Sequence, residues 1–252
     1  MGRYREVFMG RRFARLWGIP LVMVMSALVL PGGAGAIIGG APDGGGHANV
    51  GFVIAVDEAG NLADACTGTL IARSVVLTAA HCLFEGYEYV VSFEPVVSVN
   101  GGNNHFREVT DFESDDEYDV GVVFLAGDVT GIEPATLPAQ GALEGSRKGE
   151  SFTHVGYGLD RLPPRGKTGS SAVTDFTRRT LAASLTRLDS TLLYTRAGGG
   201  SLCKGDSGGP VFSDAGVVVA LGNYVSGNCK GTNSGPRLDI EPVQSFLEEY
   251  VG

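Results

Sequence analysis

The chain has 252 residues, 43% of them hydrophobic and 19% charged, with 19 Lys and Arg against 28 Asp and Glu for a formal net charge of −9. That acidic balance argues against nucleic acid and anionic membranes as partners. The length accommodates one large all-β domain or two smaller ones, each able to bury a core.

In chain order, the first feature is an export leader over residues 1–36. Arg3, Arg5, Arg11, Arg12 and Arg15 precede an apolar run from Leu16 to Leu30, Pro31 breaks the run, and Ala34-Gly35-Ala36 supplies a small-residue cleavage pattern. The run is too short and too poorly flanked for a membrane span. Cleavage after Ala36 starts the mature chain at Ile37 and leaves 216 residues with 14 basic against 27 acidic side chains, a net charge of −13. The only tryptophan, Trp17, leaves with the leader. The protein is therefore expected to be secreted, either extracellular or retained in a periplasm, with no membrane attachment once the leader is gone.

From Val50 onward the apolar residues come in short β-branched runs, VGFVIAV, SVVLTAA, YVVSF, PVVSV, DVGVVFL, STLLYT and GVVVAL, each bounded by Gly, Asn, Asp or Pro. This punctuation predicts strands joined by turns. Long amphipathic helices do not alternate with the runs, which excludes a parallel βαβ sheet and favours an antiparallel barrel or sandwich. The acidic run DFESDDEYD, residues 111 to 119, reads as a solvated loop; it lacks the ordered ligand spacing and glycine turn of a calcium loop. Between Leu125 and Lys148 the sequence loses strand character and gathers Gly, Pro and Ala, so a boundary between two compact units is placed near residue 140. The one helix predicted is terminal, EPVQSFLEEYV, where Val243, Phe246, Leu247 and Tyr250 recur on one face.

Four cysteines allow three connectivities, of which Cys66 with Cys82 and Cys203 with Cys229 are the local pairings. Export permits disulfides, whereas a metal site would need clustered histidines or CxxC spacing. The pentapeptide Gly205-Asp206-Ser207-Gly208-Gly209 fits the GxSxG elbow of α/β-hydrolases, but there the histidine follows the serine. All four histidines, His47, His81, His105 and His154, precede Ser207. A subtilisin-like order using Asp57 or Asp64 would need a parallel sheet. His105, in a Gly-Asn loop, and His154, in a strand-like segment, are expected to be structural.

Three segments carry a resemblance. CTGTLIARSVVLTAAHC, residues 66 to 82, resembles the histidine segment of trypsin-like serine endopeptidases, the chymotrypsin family, in which a disulfide joins its two end cysteines; GDSGGP, residues 205 to 210, is similar to the nucleophile segment, and DVGVVFL to the aspartate segment. The resemblance runs from IIGG at residue 37 to the terminal helix. It implies an all-β fold of two antiparallel β-barrels with a C-terminal helix, about 37–140 forming the first barrel and about 141–252 the second barrel and helix.

It also implies a chemistry. A serine hydroxyl is a poor nucleophile until an imidazole takes its proton, and the imidazole needs a carboxylate to fix its tautomer. Ser207, His81 and Asp119 are expected in those roles, with the N–H groups of Gly205 and Ser207 stabilising the anionic oxygen of the tetrahedral intermediate. Ile37 is expected as an activation latch whose freed α-ammonium pairs with Asp206, and the leader cleavage itself would make that cut. Ser201, six residues before Ser207, is expected at the floor of the substrate pocket, with Tyr224, Val225 and Ser226 on its wall. A neutral floor predicts cleavage after apolar rather than basic residues. Lys204 is assigned to solvated surface. The family's tryptophans are replaced by Tyr157 and Tyr224, and two of its several disulfides remain. No cofactor or metal is implied, and the expected partners of this monomer are protein or peptide substrates and a proteinaceous inhibitor. The rival readings are a catalytically silent binding module on the same fold and an esterase.

Overall fold

The computed structural model describes residues 37–98, 105–159, 175–226 and 229–251. The leader at 1–36 and Val99 of the PVVSV run lie outside them. The strands of the N-terminal half are β1 (Ala41–Pro42), β2 (Val50–Val56), β3 (Leu62–Ala72), β4 (Val75–Thr78), β5 (Glu88–Ser92), β6 (Val96–Ser98), β7 (Phe106–Asp115) and β8 (Val120–Leu125). Six of them close into an antiparallel barrel in the order β2-β3-β4-β8-β7-β5.

The apolar runs are continuous because both faces of these strands are buried. Val53, Leu70, Val76, Val91 and Val123 form one cluster with Cys66 and Cys82. The alternate residues Phe52, Ile54, Leu77 and Val122 join a second cluster with Val155, Tyr157, Phe212 and Leu221 of the following half. Period-two alternation thus divides each strand between two cores.

That half contains β9 (Ser151–Gly156), β10 (Asp175–Thr177), β11 (Arg179–Leu188), β12 (Leu192–Arg196), β13 (Gly209–Ser213), β14 (Val218–Gly222), β15 (Tyr224–Val225) and β16 (Asn233–Pro236). The main sheet runs β14-β13-β9-β11-β12-β16-β15, and a bridge between Ala220 and Arg237 draws β14 back toward β16, so that the sheet nearly closes. The helix α1 spans Glu241–Glu248 and buries Val243 and Leu247. Beyond it, Tyr250 packs its ring 5.5 Å from that of Phe124 and donates to Glu113 Oε2 at 2.7 Å.

Two expectations change. Residues 111–115 of the acidic run belong to β7, paired with β8, rather than to a loop. Asp and Glu are poor strand formers, but the ladder to the apolar β8 supplies the order, with Phe112 packing inward and Asp111 and Glu113 facing out. Ala41 and Pro42, expected with the first barrel, instead pair with Thr180 and Arg179 of the second sheet. A buried ion pair secures this crossing: Arg178 Nε donates to Asp43 Oδ2 at 3.0 Å, and Arg178 Nη1 reaches Val50 O, Phe93 O and Tyr157 Oη.

His154 sits wholly in the second core. Its Nε2 lies 2.7 Å from Thr195 Oγ1, while Nδ1 has no partner among the described residues. Burial pushes the imidazole down to about 4 from 6.5. The folded state therefore favours the neutral ring: its stability is intact above about pH 6.5 and is lost as pH falls toward 4, by about 3 kcal/mol for a shift of this size. His154→Gln is expected to lessen the acid-induced fall in Tm, and an unchanged Tm profile between pH 7 and 4 would contradict this.

Candidate active site

The polypeptide leaves β4 into a short 3-10 turn, Ala80–Cys82, that carries His81. The Cys66–Cys82 disulfide ties this turn to β3. Asp119 immediately precedes β8, in a left-handed conformation (φ 55°) that bends its carboxylate back toward the turn. It accepts the His81 backbone N–H at 3.0 Å, and His81 Nδ1 lies 2.9 Å from both carboxylate oxygens. Burial would push the Asp119 carboxyl up, but hydrogen bonds from His81 and Tyr224 outweigh it and hold the group below its ordinary value. It is a carboxylate at neutral pH, suited to fix the ring tautomer and to balance an imidazolium.

Asn223, at the end of β14, carries the connection onward. Its Nδ2 donates to Asp119 Oδ2 at 2.7 Å and to Asp119 O at 2.9 Å. Its Oδ1 accepts Gly208 N–H at 3.2 Å, and its carbonyl oxygen lies 3.5 Å from Ser207 Oγ. One side chain and its own carbonyl thereby join the aspartate to the serine loop. Cys82 Sγ lies 3.9 Å from Ser207 O, so the histidine turn abuts the same loop. Asp119 is thus bonded directly to His81 and, through Asn223, to the Ser207 loop. His105 is instead an exposed partner of Glu94, and His47 pairs with Asp43.

The serine loop owes its shape to glycine. Gly205 and Gly208 have φ of 95° and 77°, values that strain a side-chain-bearing residue, and a Cβ on Gly208 would collide with Thr78 and Thr67. Asp206 points inward. Its carboxylate accepts Gly158 N–H at 2.7 Å and Cys203 N–H at 2.8 Å, and makes no ion pair among the described residues. Burial pushes it up to about 7 against those two bonds. A Cβ at Gly156 or Gly158 would overlap this carboxyl, so both positions must be glycine for it to lie there.

Ile37 is fully buried against Leu181 and Leu202, and Ile38 forms a β-bridge with Ser201. Ser201 is buried and donates from Oγ to Asn233 Oδ1 at 2.9 Å; Leu202 N–H donates to the same oxygen. Val225 lies directly opposite Asn233 in the β15–β16 pair, so their side chains share a face. Ser226 is exposed and accepts Thr232 N–H on its hydroxyl. Lys204 is exposed, as expected. Tyr224 stacks its ring 5.8 Å from that of His81 and donates its hydroxyl to Asp119 Oδ2 at 2.5 Å.

Asn223 and Asn233 escape a reading of the sequence: each is a lone asparagine at a strand end, and its partners lie in other parts of the chain. Cys203–Cys229 forms the second disulfide. Among the described residues no three His, Cys, Asp or Glu side chains converge to hold a metal ion.

Known proteins are similar to this chain in sequence and fold. Residues 37–247 match the family model described as Trypsin. A chymotrypsin of Phaedon cochleariae is 28% identical over 207 residues, covering 72% of this chain and 71% of the relative. A neutrophil elastase of Mus musculus is 29% identical over 200 residues, covering 73% and 71%. Among solved structures, human heparin binding protein superposes with a TM-score of 0.65 at 17% identity, covering 84% of this chain and 96% of that one. HL collagenase gives the same TM-score at 19% identity, covering 84% and 96%. The two structural likenesses show the fold, and the family model spans both barrels and the residues between Ile37 and Leu247: the chain belongs to the trypsin family of serine endopeptidases.

Proposed function

We propose that the protein is a secreted endopeptidase that works through an acyl-enzyme formed on Ser207, with His81 as general base and Asp119 as its orienting carboxylate. The observation that carries this reading is the unbroken set of contacts from His81 through Asp119 and Asn223 to the Ser207 loop. In the reaction, Ser207 Oγ attacks the scissile carbonyl carbon as its proton passes to His81 Nε2. The N–H groups of Gly205 and Ser207 hold the anionic oxygen. Collapse of the intermediate expels the amine with the proton from His81, and water repeats the sequence on the ester.

Leader cleavage that frees Ile37 supplies the α-ammonium for Asp206, so that activity appears on export. Residues up to about 140 and about 141–252 serve as the two barrel units, with Ala41 and Pro42 carried by the second and the reacting groups drawn from both. The protein acts as a monomer on protein or peptide substrates. Heparin binding, the property named for one structural neighbour, does not suit a chain of net charge −9.

The pocket favours small apolar residues before the scissile bond. Ser201 offers no charge to a lysine or arginine, and its hydroxyl is committed to Asn233. Val225 packs against the cluster that contains Leu202 and lies opposite Asn233, the partner of Ser201, where its side chain would limit the size of a substrate side chain. A peptide-library digest by processed protein is expected to show cuts after Ala and Val. Val225→Gly is expected to raise kcat/KM for Leu and Phe by about 10- to 100-fold relative to Ala; preference for Arg or Lys would refute the pocket assignment. A fluorophosphonate probe is expected to label wild-type protein and not Ser207→Ala. Failure to label folded, processed wild type would favour the silent binding module, and turnover of esters without amides would favour the esterase.

A further inference from the structure

Thr67 lies within β3, wholly buried, on the wall of the first barrel that faces the serine loop. Its backbone N–H donates to Ser207 O at 2.9 Å, a contact that any residue here would make. The hydroxyl does something particular to threonine or serine. It accepts Tyr157 N–H at 3.0 Å and donates to Gly205 O at 2.8 Å. Because the Tyr157 N–H occupies a lone pair, the hydroxyl proton is directed to the Gly205 carbonyl.

The consequence lies in the next peptide plane. The plane between Gly205 and Asp206 is held at both ends, its carbonyl by Thr67 Oγ1 and its N–H by Cys203 O at 3.1 Å. The Gly205 N–H lies in the preceding plane, whose Lys204 carbonyl accepts Leu159 N–H at 2.8 Å, so the two held planes meet at Gly205 Cα and its φ (95°) and ψ alone relate them. Gly205 has no side chain to restrain it, and glycine samples positive and negative φ alike. Release of its carbonyl would leave Leu159 as the hold on the Lys204 side, so that the planes on either side of Gly205 could turn relative to one another and carry the N–H away from the reacting centre.

We propose that Thr67 is a positioning residue: its hydroxyl, oriented by Tyr157 N–H, pins the Gly205 carbonyl and so aims the Gly205 N–H at the anionic oxygen of the tetrahedral intermediate. The proposal rests on the reading of Gly205 and Ser207 as the donors to that oxygen. The anchor comes from the first barrel and is separate from the Asp206 carboxylate, which holds the same loop through Gly158 N–H and Cys203 N–H.

The test uses full-length processed protein with Thr67→Val, which keeps the shape and removes the hydroxyl, and Thr67→Ser, which keeps the hydroxyl and removes Cγ2. Thr67→Val is expected to lower kcat on a peptide amide about 10- to 100-fold with KM changed by less than about threefold. Affinity for a peptide boronic acid, whose tetrahedral adduct uses the same donors, should fall in parallel, while affinity for a cleaved product peptide should not. Thr67→Ser should restore kcat and boronate affinity to within about threefold of wild type. Wild-type kcat and boronate affinity in Thr67→Val would overturn the proposal, as would impairment of Thr67→Ser as large as that of Thr67→Val, which would show that a hydroxyl at this position does not set the activity. If Thr67→Val does not fold, Thr67→Ala against Thr67→Ser makes the same comparison. Wild-type protein that neither cleaves nor labels would instead defeat the underlying protease reading.

Discussion

Asp119→Asn is expected to lower kcat by about four orders of magnitude with little change in KM. The carboxylate accepts from His81 N–H, His81 Nδ1, Asn223 Nδ2 and Tyr224 Oη. An asparagine offers one acceptor oxygen, and its amide nitrogen must face one set of these donors. If the nitrogen faces His81, the ring accepts at Nδ1 and carries its proton on Nε2, which can no longer take the proton of Ser207. If it faces Asn223 and Tyr224, three donors meet and the strand end is pushed away. Either arrangement also removes the negative charge that balances the imidazolium. Since the Asp119 carboxyl is held below its ordinary value in the fold, it stabilises the protein at neutral pH and loses that contribution as pH falls through its folded pKa; the variant should lose this part of the acid transition. Single-turnover kinetics with an activated ester and a peptide amide read the catalytic loss. A fall in kcat of less than about tenfold would remove Asp119 from the mechanism.

An N-terminus extended by one residue beyond Ile37 is expected to reduce kcat/KM about 100- to 1000-fold, the scale of losing a donor to the anionic oxygen. Asp206 is buried with two N–H donors and no ion pair among the described residues, and its carboxyl is pushed up to about 7. That value lies above the ordinary 3.8, so folding favours the protonated form. Stability is fully present below about pH 4 and is lost as pH rises toward 7, by roughly 4 kcal/mol for a shift of this size. A freed α-ammonium at Ile37 remains protonated across this range and offsets the cost. Ile37 also holds φ at 55°, unfavourable for a β-branched residue, while its side chain is already buried. Because His154 and Asp119 add stability over the same range in both forms, unprocessed protein should gain less Tm from pH 4 to 7 than protein beginning at Ile37. Equal activity of the two forms, or superimposable Tm profiles, would exclude the latch.

Most strands were legible because burial on both faces writes an unbroken β-branched run: VGFVIAV became β2, and VGVVFL became β8. The strands that escaped are those with mixed chemistry. In β11, RTLAASLTRL, Leu181, Ala183 and Leu185 alternate with polar residues, and in β7 the acidic side chains conceal the inward Phe112. Such segments become strands through their neighbours' ladders.

His81, Asp119 and Ser207 were visible because each sits in a contiguous segment whose local demands are strict: a bridged turn, an apolar strand start, a glycine-rich loop. Local chemistry is written along the chain, so the sequence by itself determined the strand runs and the family, and singled out the side chains proposed to react. Asn223, Asn233 and Thr67 depend on partners 104, 32 and 138 residues away. Only the tertiary structure decided that Asn223 links Asp119 to the Ser207 loop, that Val225 faces Asn233, the partner of Ser201, and that one threonine hydroxyl from the first barrel bonds the serine loop of the second. A hydrogen bond senses angstroms in space and leaves no mark on the spacing of residues along the polypeptide.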